Sequence, residues 1–308
     1  MRYLVTGGAG FIGSNIVKEL LSRGKVVRVL DNFSTGKREN LDEFKSNPSF
    51  ELIEGDLRSY HTVRYATDGI DFVLHQGALP SVPRSINDPI TTNEVNISGT
   101  LNILEASKDC RVKRVVFASS SSVYGNSETL PKVEGMAVAP LSPYALTKYA
   151  AERYCQIYFQ LYRLETVCLR YFNVFGPNQD PTSQYSAVIP KFIKLIKEGK
   201  EPMIYGDGLQ SRDFTYVTNN VNANILACEA EGVAGEVFNI ACGEKYSLLD
   251  LLEKINVLTN NNISPNFKEG RKGEVKHSIA DIEKAKSILG FKPIINFDEG
   301  LKKTIECF

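Results

Sequence analysis

Residues 4–21 read LVTGGAGFIGSNIVKELL, and this stretch decides how the first part of the chain folds. A short apolar run ends at a Gly-x-x-Gly-x-x-Gly pattern formed by Gly7, Gly10 and Gly13, and apolar residues at helical spacing follow. Glycine lets the main chain turn tightly and approach a ligand, and the free amides at a helix N-terminus attract a diphosphate. The stretch therefore predicts a strand, a phosphate-binding turn and a helix.

The next strand candidate, VVRVLD at residues 26–31, ends in Asp31. A carboxylate at this place can accept hydrogen bonds from both hydroxyls of an adenine ribose, and it repels a 2′-phosphate. We therefore expect NAD rather than NADP. Two further strand ends, EGDLRS at 54–59 and HQGALPS at 75–81, offer Asp56, Leu57 and small residues to the same ligand, because ligands collect at the carboxyl ends of parallel strands.

Short β-branched runs alternate with helical patterns through the first half of the chain. We predict strands at 2–6, 26–31, 50–55, 71–75, 114–119 and 166–172, and helices at 12–23, 38–46, 91–109 and 143–162. This alternation indicates an α/β fold, a Rossmann-type doubly wound parallel sheet forming an NAD-binding domain over 1–176.

The pattern after residue 177 is mixed, with a helix expected at 188–198, a strand near 211–217 and helices at 218–230 and 247–258. We expect a smaller C-terminal α/β lobe over 177–308 that binds the substrate, with part of it returning to the main sheet.

Composition excludes several classes of partner. The 36 basic and 36 acidic residues balance, and neither a basic run nor a membrane-length apolar stretch is present. We expect no nucleic-acid or membrane partner. Six scattered cysteines without a Cys-x-x-Cys pair favour reduced thiols in a cytoplasmic protein, and three separated histidines make a metal site unexpected. From the strand-like start we expect no signal peptide.

The segment LSPYALTKYAAE at 141–152 predicts a helix that begins with a reactive tyrosine. Ser142 suits the N-cap and Pro143 the first helical position, so Tyr144 lies in the first turn. Lys148, one turn later, shares its helix face. An ammonium group, the positive helix end and an oxidised nicotinamide would each lower the pKa of the phenol. Tyr144 is therefore a candidate base near neutral pH.

Four serines follow an apolar run in FASSSSVYG at 117–125. Together with the glycine pattern and Tyr-x-x-x-Lys, this resembles the extended short-chain dehydrogenase/reductase superfamily. Over nearly the whole length, segments such as SVPRSINDP, LRYFNVFGP and GDGLQSRDFTYV are similar to UDP-sugar 4-epimerases, especially those for UDP-N-acetylglucosamine and UDP-glucose. The resemblance implies a cytoplasmic enzyme that inverts carbon 4 of a UDP-sugar through a 4-ketose, with NAD as cofactor.

The resemblance also implies roles for the serines. Ser120, four residues before Tyr124, matches the catalytic hydroxyl that acts with Tyr144 and Lys148, and Ser121 and Ser122 would line the sugar pocket. Family dehydratases carry an Asp-Glu pair at these two positions, and decarboxylases typically carry Glu at the second. Their absence favours epimerisation over loss of water.

The remaining site residues are also implied by the resemblance. Those expected to contact NAD are Gly7, Gly10, Phe11, Ile12, Gly13, Asp31, Asn32, Phe33, Ser34, Thr35, Gly36, Asp56, Leu57, Gln76, Gly77, Ala78, Pro80, Asn96, Tyr144, Lys148 and Phe172. Those expected to contact the UDP-sugar are Ser120, Ser121, Ser122, Tyr144, Asn173, Ala187, Val188, Tyr205, Arg212, Arg271, Glu274 and Ser278.

Sugar identity depends on Ser278, which aligns with the family's gatekeeper position. A small residue there admits a 2-acetamido group. Pro80 departs from the glycine frequent in the N-acetylhexosamine branch and alters the loop over the sugar. Alternatives are a plain UDP-glucose 4-epimerase, another NAD-dependent nucleotide-sugar enzyme of oxidoreductase, dehydratase or decarboxylase type, and a non-catalytic NAD sensor.

Two predicted helices carry apolar residues on more than one face, which favours a homodimer. The residues are Ile97, Leu101 and Leu104 in the helix at 91–109, and Tyr154, Ile157, Tyr158 and Leu161 in the helix at 143–162. In the similar enzymes these two helices pair across subunits into a four-helix bundle. The alternative is a crowded core in a monomer.

Overall fold

The computed structural model describes residues 1–180, 188–270 and 276–308. Its strands are β1 Arg2–Thr6, β2 Val26–Asp31, β3 Phe50–Glu54, β4 Phe72–His75, β5 Arg114–Ser120, β6 Glu165–Tyr171, β7 Val174–Phe175, β8 Met203–Tyr205, β9 Ser211–Arg212, β10 Thr215–Tyr216, β11 Val237–Ile240, β12 Tyr246–Ser247 and β13 Asn266–Lys268. Its α-helices are α1 Phe11–Ser22, α2 Tyr60–Thr67, α3 Val82–Asn87, α4 Pro89–Asn93, α5 Gly99–Asp109, α6 Pro143–Tyr162, α7 Val188–Lys197, α8 Val217–Glu229, α9 Leu248–Thr259, α10 Glu283–Ile288 and α11 Phe297–Glu306.

In the described part of the chain, seven strands form one parallel sheet in the order β11-β6-β5-β4-β1-β2-β3. This confirms the expected doubly wound α/β fold. Because the strands are parallel, their carboxyl ends lie along one edge. The strand β11 pairs with β6, so the chain re-enters the sheet after residue 177. The division into two functional lobes stays a prediction.

Both faces of the sheet are buried, as near-continuous apolar strands require. Successive residues of β5 show this: Val116 packs in a core with α1 and α8, whereas Val115 and Phe117 pack in a second core with α2, α5 and α6. The helix α6 therefore lies directly against β5, and this contact positions the catalytic candidates.

Three sequence predictions need correction. The expected helix at 91–109 is interrupted, because α4 ends at Asn93 and a π-helical turn over Glu94–Ser98 precedes α5. The expected helix at 38–46 is a 3₁₀ helix over Arg38–Phe44. The strand near 211–217 is divided into the two short strands β9 and β10, which pair with different partners.

The C-terminal part builds small two-stranded pairs beside the main sheet: β7 with β10, β9 with β12, and β8 with β13. The pairs β7–β10 and β9–β12 place residues 173–174 and 212–216 next to the carboxyl edge of the main sheet. Among the helices of the described ranges, none combines the length and apolar character needed to cross a bilayer.

Candidate active site

The glycine pattern forms a turn that tolerates no side chain at two of its positions. Gly7 has a φ of +66°, and a Cβ there would lie 2.7 Å from the Cα of Gly77. A Cβ on Gly13 would lie 2.1 Å from the carbonyl oxygen of Gly7. The main chain thus approaches the edge of the sheet closely, with the amides at the start of α1 directly behind it, as diphosphate binding requires.

Asp31 anchors this turn from the end of β2. Its two carboxylate oxygens accept hydrogen bonds from the amides of Ala9, at 2.9 Å, and Phe33, at 2.8 Å. Burial raises the pKa of the carboxyl group, and the backbone hydrogen bonds oppose that rise. The carboxylate that we expect to hold the ribose therefore also holds the glycine turn in place.

The loop after β2 closes one side of the same cleft. A Cβ on Gly36 would lie 2.9 Å from the carbonyl carbon of Ala9, so this loop also packs against the glycine turn. The predicted contacts Phe33, Ser34 and Thr35 lie in this loop, between Asp31 and Gly36. The guanidinium of Arg38 lies 3.8 Å from the centre of the Phe33 ring.

The ends of β3 and β4 contribute the next predicted residues. Asn32 donates to Asp56 at 3.0 Å, and hydrogen bonds from Arg58 hold the pKa of Asp56 at about 2. Leu57 is buried, and a Cβ on Gly77 would lie 2.9 Å from its Cδ1 atom. These residues line up at the carboxyl edge as expected.

Asn96 holds the loop that follows β4. Its side chain accepts from the amide of Leu79 at 2.8 Å, donates to the carbonyl of Leu79 at 3.2 Å and donates to Thr147 at 3.1 Å. Ala78 and Pro80 flank Leu79, and Pro80 is exposed. Asn96 lies in the π-helical turn, a feature often found at functional sites.

Sequence reasoning missed the polar side chains of Tyr171 and Asn224 at this edge, because their hydrogen-bond partners lie far away in the chain. Gln76 donates to Asn224 at 3.0 Å and accepts from the hydroxyl of Tyr171 at 3.2 Å. Asn224 in turn donates to that hydroxyl at 2.6 Å. The three side chains fix the distance between β4, β6 and α8.

His75 is a third residue that the sequence did not single out. Its ring is fully buried between the hydroxyls of Thr6, at 2.7 Å, and Thr100, at 3.0 Å. Thr100 donates to the carbonyl of Asn96, so it accepts from the ring. Burial lowers the pKa of His75 to about 3. The imidazole is therefore neutral, and it connects Thr6 to Thr100 by hydrogen bonds near the edge of the sheet where the cofactor is expected to bind.

Ser120, Tyr144 and Lys148 meet where β5 ends and α6 begins. Ser120 is the last residue of β5, and Ser142 caps α6 by accepting from the amide of Ala145 at 3.1 Å. Tyr144 lies in the first turn and Lys148 one turn later, as predicted. Lys148 is buried and donates to the carbonyl of Ala118 at 2.8 Å.

The serine turn orients the hydroxyl of Ser120. Ser122 donates to the Oγ atom of Ser120 through its hydroxyl, at 2.9 Å, and through its amide, at 3.2 Å. With two donors on it, the oxygen of Ser120 has its own proton left to give. As a hydrogen-bond donor toward the phenol, Ser120 lowers the pKa of Tyr144.

The expected lowering of the Tyr144 pKa is not what the structure gives. Burial raises the pKa of the phenol, and the hydrogen bond with Ser120 only partly opposes this. Burial also lowers the pKa of Lys148 to about 8. Desolvation penalises both charged forms, so the helical pairing of Tyr144 with Lys148 does not by itself produce a phenolate.

A cavity of about 240 Å³ lies beyond the end of β6, the strand whose Tyr171 pairs with Ser120 of β5. It contains the predicted residues Asn173, Val188 and Arg212. The other lining residues, which the sequence analysis did not name, are Val174, Phe175, Ile189, Gln210, Phe214 and Leu248. Apolar walls, two aromatic rings and a guanidinium form a suitable site for a nucleotide base with its phosphates.

Asp213, next to Arg212, joins Asn173 of this cavity to two other segments of the chain. Its carboxylate accepts from the amides of Cys242 and Gly243, each at 3.0 Å, and of Ala280, at 3.2 Å. Its carbonyl accepts from the side chain of Asn173 at 3.2 Å. Burial raises the pKa of Asp213 to about 7, against these backbone hydrogen bonds.

The other predicted substrate residues take different places. The amide of Ser278 donates to the carbonyl of Ser211 at 3.0 Å, so Ser278 lies beside the strand that carries Arg212. The carbonyl of Tyr205 accepts from Gln210 at 2.7 Å, at the margin of the cavity. Phe172, which we expected to contact NAD, is fully buried. Ala187, Arg271 and Glu274 lie outside the described residues.

The residues present fit NAD. The turn formed by the three glycines would bind the pyrophosphate at the start of α1, and Asp31 would bind the adenine ribose. The nicotinamide would lie near Gln76, at the end of β4, and near Lys148 of α6. The fold and this set of residues define a dinucleotide-dependent enzyme with a serine, a tyrosine and a lysine at its catalytic edge.

Comparison with known proteins identifies the family. Residues 3–241 match the NAD dependent epimerase/dehydratase family, and the chain belongs to it. The expected resemblance to UDP-sugar 4-epimerases and the expectation of an enzyme with NAD as cofactor are thereby confirmed.

Three relatives show the range of this similarity. A solved UDP-N-acetylglucosamine 4-epimerase from Methanobrevibacter ruminantium M1, in complex with UDP-N-acetylmuramic acid, is 41% identical with a TM-score of 0.95, over 99% of this chain and 97% of that one. The UDP-glucose 4-epimerase of Mycolicibacterium smegmatis is 36% identical over 100% of this chain and 98% of its own. A UDP-N-acetyl-alpha-D-glucosaminuronate decarboxylase of Bacillus cytotoxicus is 35% identical over 100% and 97%.

Proposed function

We propose that the protein is a UDP-hexose 4-epimerase that interconverts UDP-N-acetylglucosamine with UDP-N-acetylgalactosamine, and UDP-glucose with UDP-galactose. The observation that carries the proposal is the serine turn beside Tyr144. Ser120, Ser121 and Ser122 bring hydroxyls to the reacting edge where a dehydratase needs an acid and a base. Tyr144 and these hydroxyls can remove one proton from an alcohol and return it, but they cannot assist the departure of water.

NAD, which the glycine turn and Asp31 would hold, would supply reversible hydride exchange with sugar carbon 4. Tyr144 accepts the proton of the 4-hydroxyl and gives it back, and the hydroxyl of Ser120 relays that proton between the sugar and the phenol. Lys148, on the same helix face, would place a positive charge near the reacting groups, and its donation to the carbonyl of Ala118 fixes its position.

Inversion also requires that the sugar turns while the nucleotide stays fixed. Asn173 and Arg212 would hold the diphosphate, and the apolar walls of the cavity would hold the base. Because the side chain of Asn173 is itself bonded to the main chain of Asp213, its direction is set before substrate binds. This division into a fixed nucleotide and a free sugar fits an epimerase.

Incubation of the purified protein with four UDP-sugars, followed by chromatographic separation, tests the proposed function. We expect two pairs of interconverting products, retained NAD and no net absorbance change at the wavelength of reduced nicotinamide. Accumulation of a dehydrated ketose, or release of carbon dioxide from UDP-glucuronic acid supplied in a separate incubation, would instead establish one of the alternative reactions.

We propose that Ser278 admits the 2-acetamido group, which gives a testable specificity. Ser278→Tyr should slow epimerisation of UDP-N-acetylgalactosamine and spare UDP-galactose, because a large side chain would occupy the space of the acetamido group. Overpacking costs about 1–3 kcal/mol, which corresponds to a loss of about 5- to 150-fold. The measurement is the ratio of kcat/KM for the two sugars before and after the change.

Ser278→Thr is the matched control, since it changes the same residue while remaining small, and its ratio should stay near that of the wild type. An unchanged ratio of kcat/KM in Ser278→Tyr would show that Ser278 does not select between the two sugars. Pro80 would then be the next residue to test. A wild-type enzyme that does not convert UDP-N-acetylgalactosamine would be a plain UDP-glucose 4-epimerase.

We also propose that the enzyme works in the cytoplasm as a homodimer. Its six cysteines are free thiols. Of the apolar residues that suggested an interface, Leu104 and Tyr158 are buried in the subunit core, which corrects the sequence prediction for them. Exposed apolar residues remain on α6, at Ile157 and Leu161, and α3 and α4 add Ile86 and Ile90.

Replacement of Ile157 and Leu161 together by glutamate should convert the dimer into a monomer, because two charges would be buried in an apolar contact. Light scattering with size-exclusion chromatography measures the mass. Gln160→Glu adds a charge to an exposed position on the same helix and should leave the dimer intact. A wild-type enzyme that is active as a strict monomer would contradict the proposal.

A further inference from the structure

Ser119 is the one residue of the serine run that the proposed reaction does not use. It directly precedes Ser120 in β5, and alternation along a strand sends the two side chains to opposite sides. Ser119 is buried, and its hydroxyl donates to the Oε2 atom of Glu152 at 2.8 Å. This hydroxyl therefore contacts α6 rather than the sugar pocket.

Glu152 lies on the helix that carries the catalytic candidates, four residues after Lys148 and eight after Tyr144. Residues at these spacings share one helix face. Lys148 donates to the carbonyl of Ala118 at 2.8 Å, and Glu152 accepts from Ser119, the next residue of the strand. Two contacts at consecutive strand residues thus set how far α6 is shifted along β5.

Arg170 of β6 holds Glu152 in this position. Its guanidinium donates to both carboxylate oxygens, at 2.6 and 3.0 Å, and the two side chains are 4% and 2% exposed. The guanidinium also lies 4.8 Å from the ring centre of Tyr124, at the end of the serine turn. One buried cation therefore contacts both α6 and the turn that orients Ser120.

We propose that Ser119, Glu152 and Arg170 form a positioning unit that sets the distance between the hydroxyls of Ser120 and Tyr144. None of the three touches the reacting atoms in this scheme. They act by holding the strand end, the helix and the serine turn in one arrangement. The inference rests on the proposed epimerase function, since it assigns the proton relay to that pair of hydroxyls.

Ser119→Ala is the variant that tests the proposal. Removal of Glu152 or Arg170 would leave the other charge buried and unpaired and threatens folding, whereas Ser119→Ala removes one hydroxyl. We expect kcat to fall about 10- to 10²-fold, since small misplacements of reacting groups cost that much. KM and bound NAD should stay unchanged.

Thr166→Val is the matched control. Thr166 is buried in β6 and its hydroxyl donates to the carbonyl of Cys155 in α6 at 2.8 Å, so it also ties the helix to the sheet, but far from Tyr144. This variant should lose thermal stability like Ser119→Ala and keep the wild-type kcat. An equal fall of kcat in both variants, or a wild-type kcat in Ser119→Ala, would overturn the proposal.

A second readout needs no substrate. The ionisation of Tyr144 can be followed in the holoenzyme by ultraviolet difference absorbance against Tyr144→Phe in the same background. Because the hydrogen bond with Ser120 lowers the pKa of Tyr144, its loss in Ser119→Ala should move the ionisation to higher pH, while Thr166→Val leaves it unchanged. If the wild type converts none of the UDP-sugars, the proposed function fails, and this titration still decides the positioning role by the presence or absence of the shift.

Discussion

Tyr144→Phe is expected to abolish nearly all epimerisation, with a fall in kcat on the order of 10⁴-fold, at the upper end for one proton-transfer group. Tyr144 is the residue placed to take the sugar proton, since it lies in the first turn of α6, on the same face as Lys148, and Ser120 lowers its pKa. Phenylalanine keeps the ring and removes only the hydroxyl. The folded structure and the NAD content should therefore be preserved.

The measurement combines turnover with the amount of NAD bound to the purified variant. Tyr65→Phe is a suitable control, because this exposed tyrosine lies on α2, away from the cofactor edge. It should behave like the wild type. Turnover of Tyr144→Phe near the wild-type rate would remove Tyr144 from the base role, and loss of NAD together with turnover would point to a binding role instead.

Ser120→Ala should have the second largest effect, a fall in kcat of about 10²–10³-fold, in the lower part of the range for a positioned proton-transfer group. The loss is smaller because the base remains and only the relay is removed. Two donors from Ser122 hold the oxygen of Ser120, so its proton is directed away from them. The variant should also raise the pH at which Tyr144 ionises, since their hydrogen bond is lost.

The pH dependence of kcat and of kcat/KM measures both effects. Ser127→Ala, at a half-buried position beyond the serine turn, is the control and should match the wild type. If Ser120→Ala kept the wild-type rate while Ser122→Ala lost it, the relay would have to be reassigned within the turn.

The sequence alone determined the features that depend on a few neighbouring residues. Gly13 requires its lack of a side chain because the turn folds back onto Gly7 within a few residues, and Gly7 has a φ of +66°, which favours glycine. Ser142, Pro143 and the four-residue step to Lys148 specify a helix start and one face of that helix. The parallel sheet and the cofactor edge follow from apolar strands alternating with helices.

Only the tertiary structure decided which distant residues support the site and what charge the catalytic groups carry. Ser119, Glu152 and Arg170 are separated by as many as 51 positions in the chain, and no local pattern pairs them. The short spacing from Tyr144 to Lys148 suggested a lowered phenol pKa, yet burial raises it. Desolvation is set by everything that packs around a group, so spacing along one helix does not determine it.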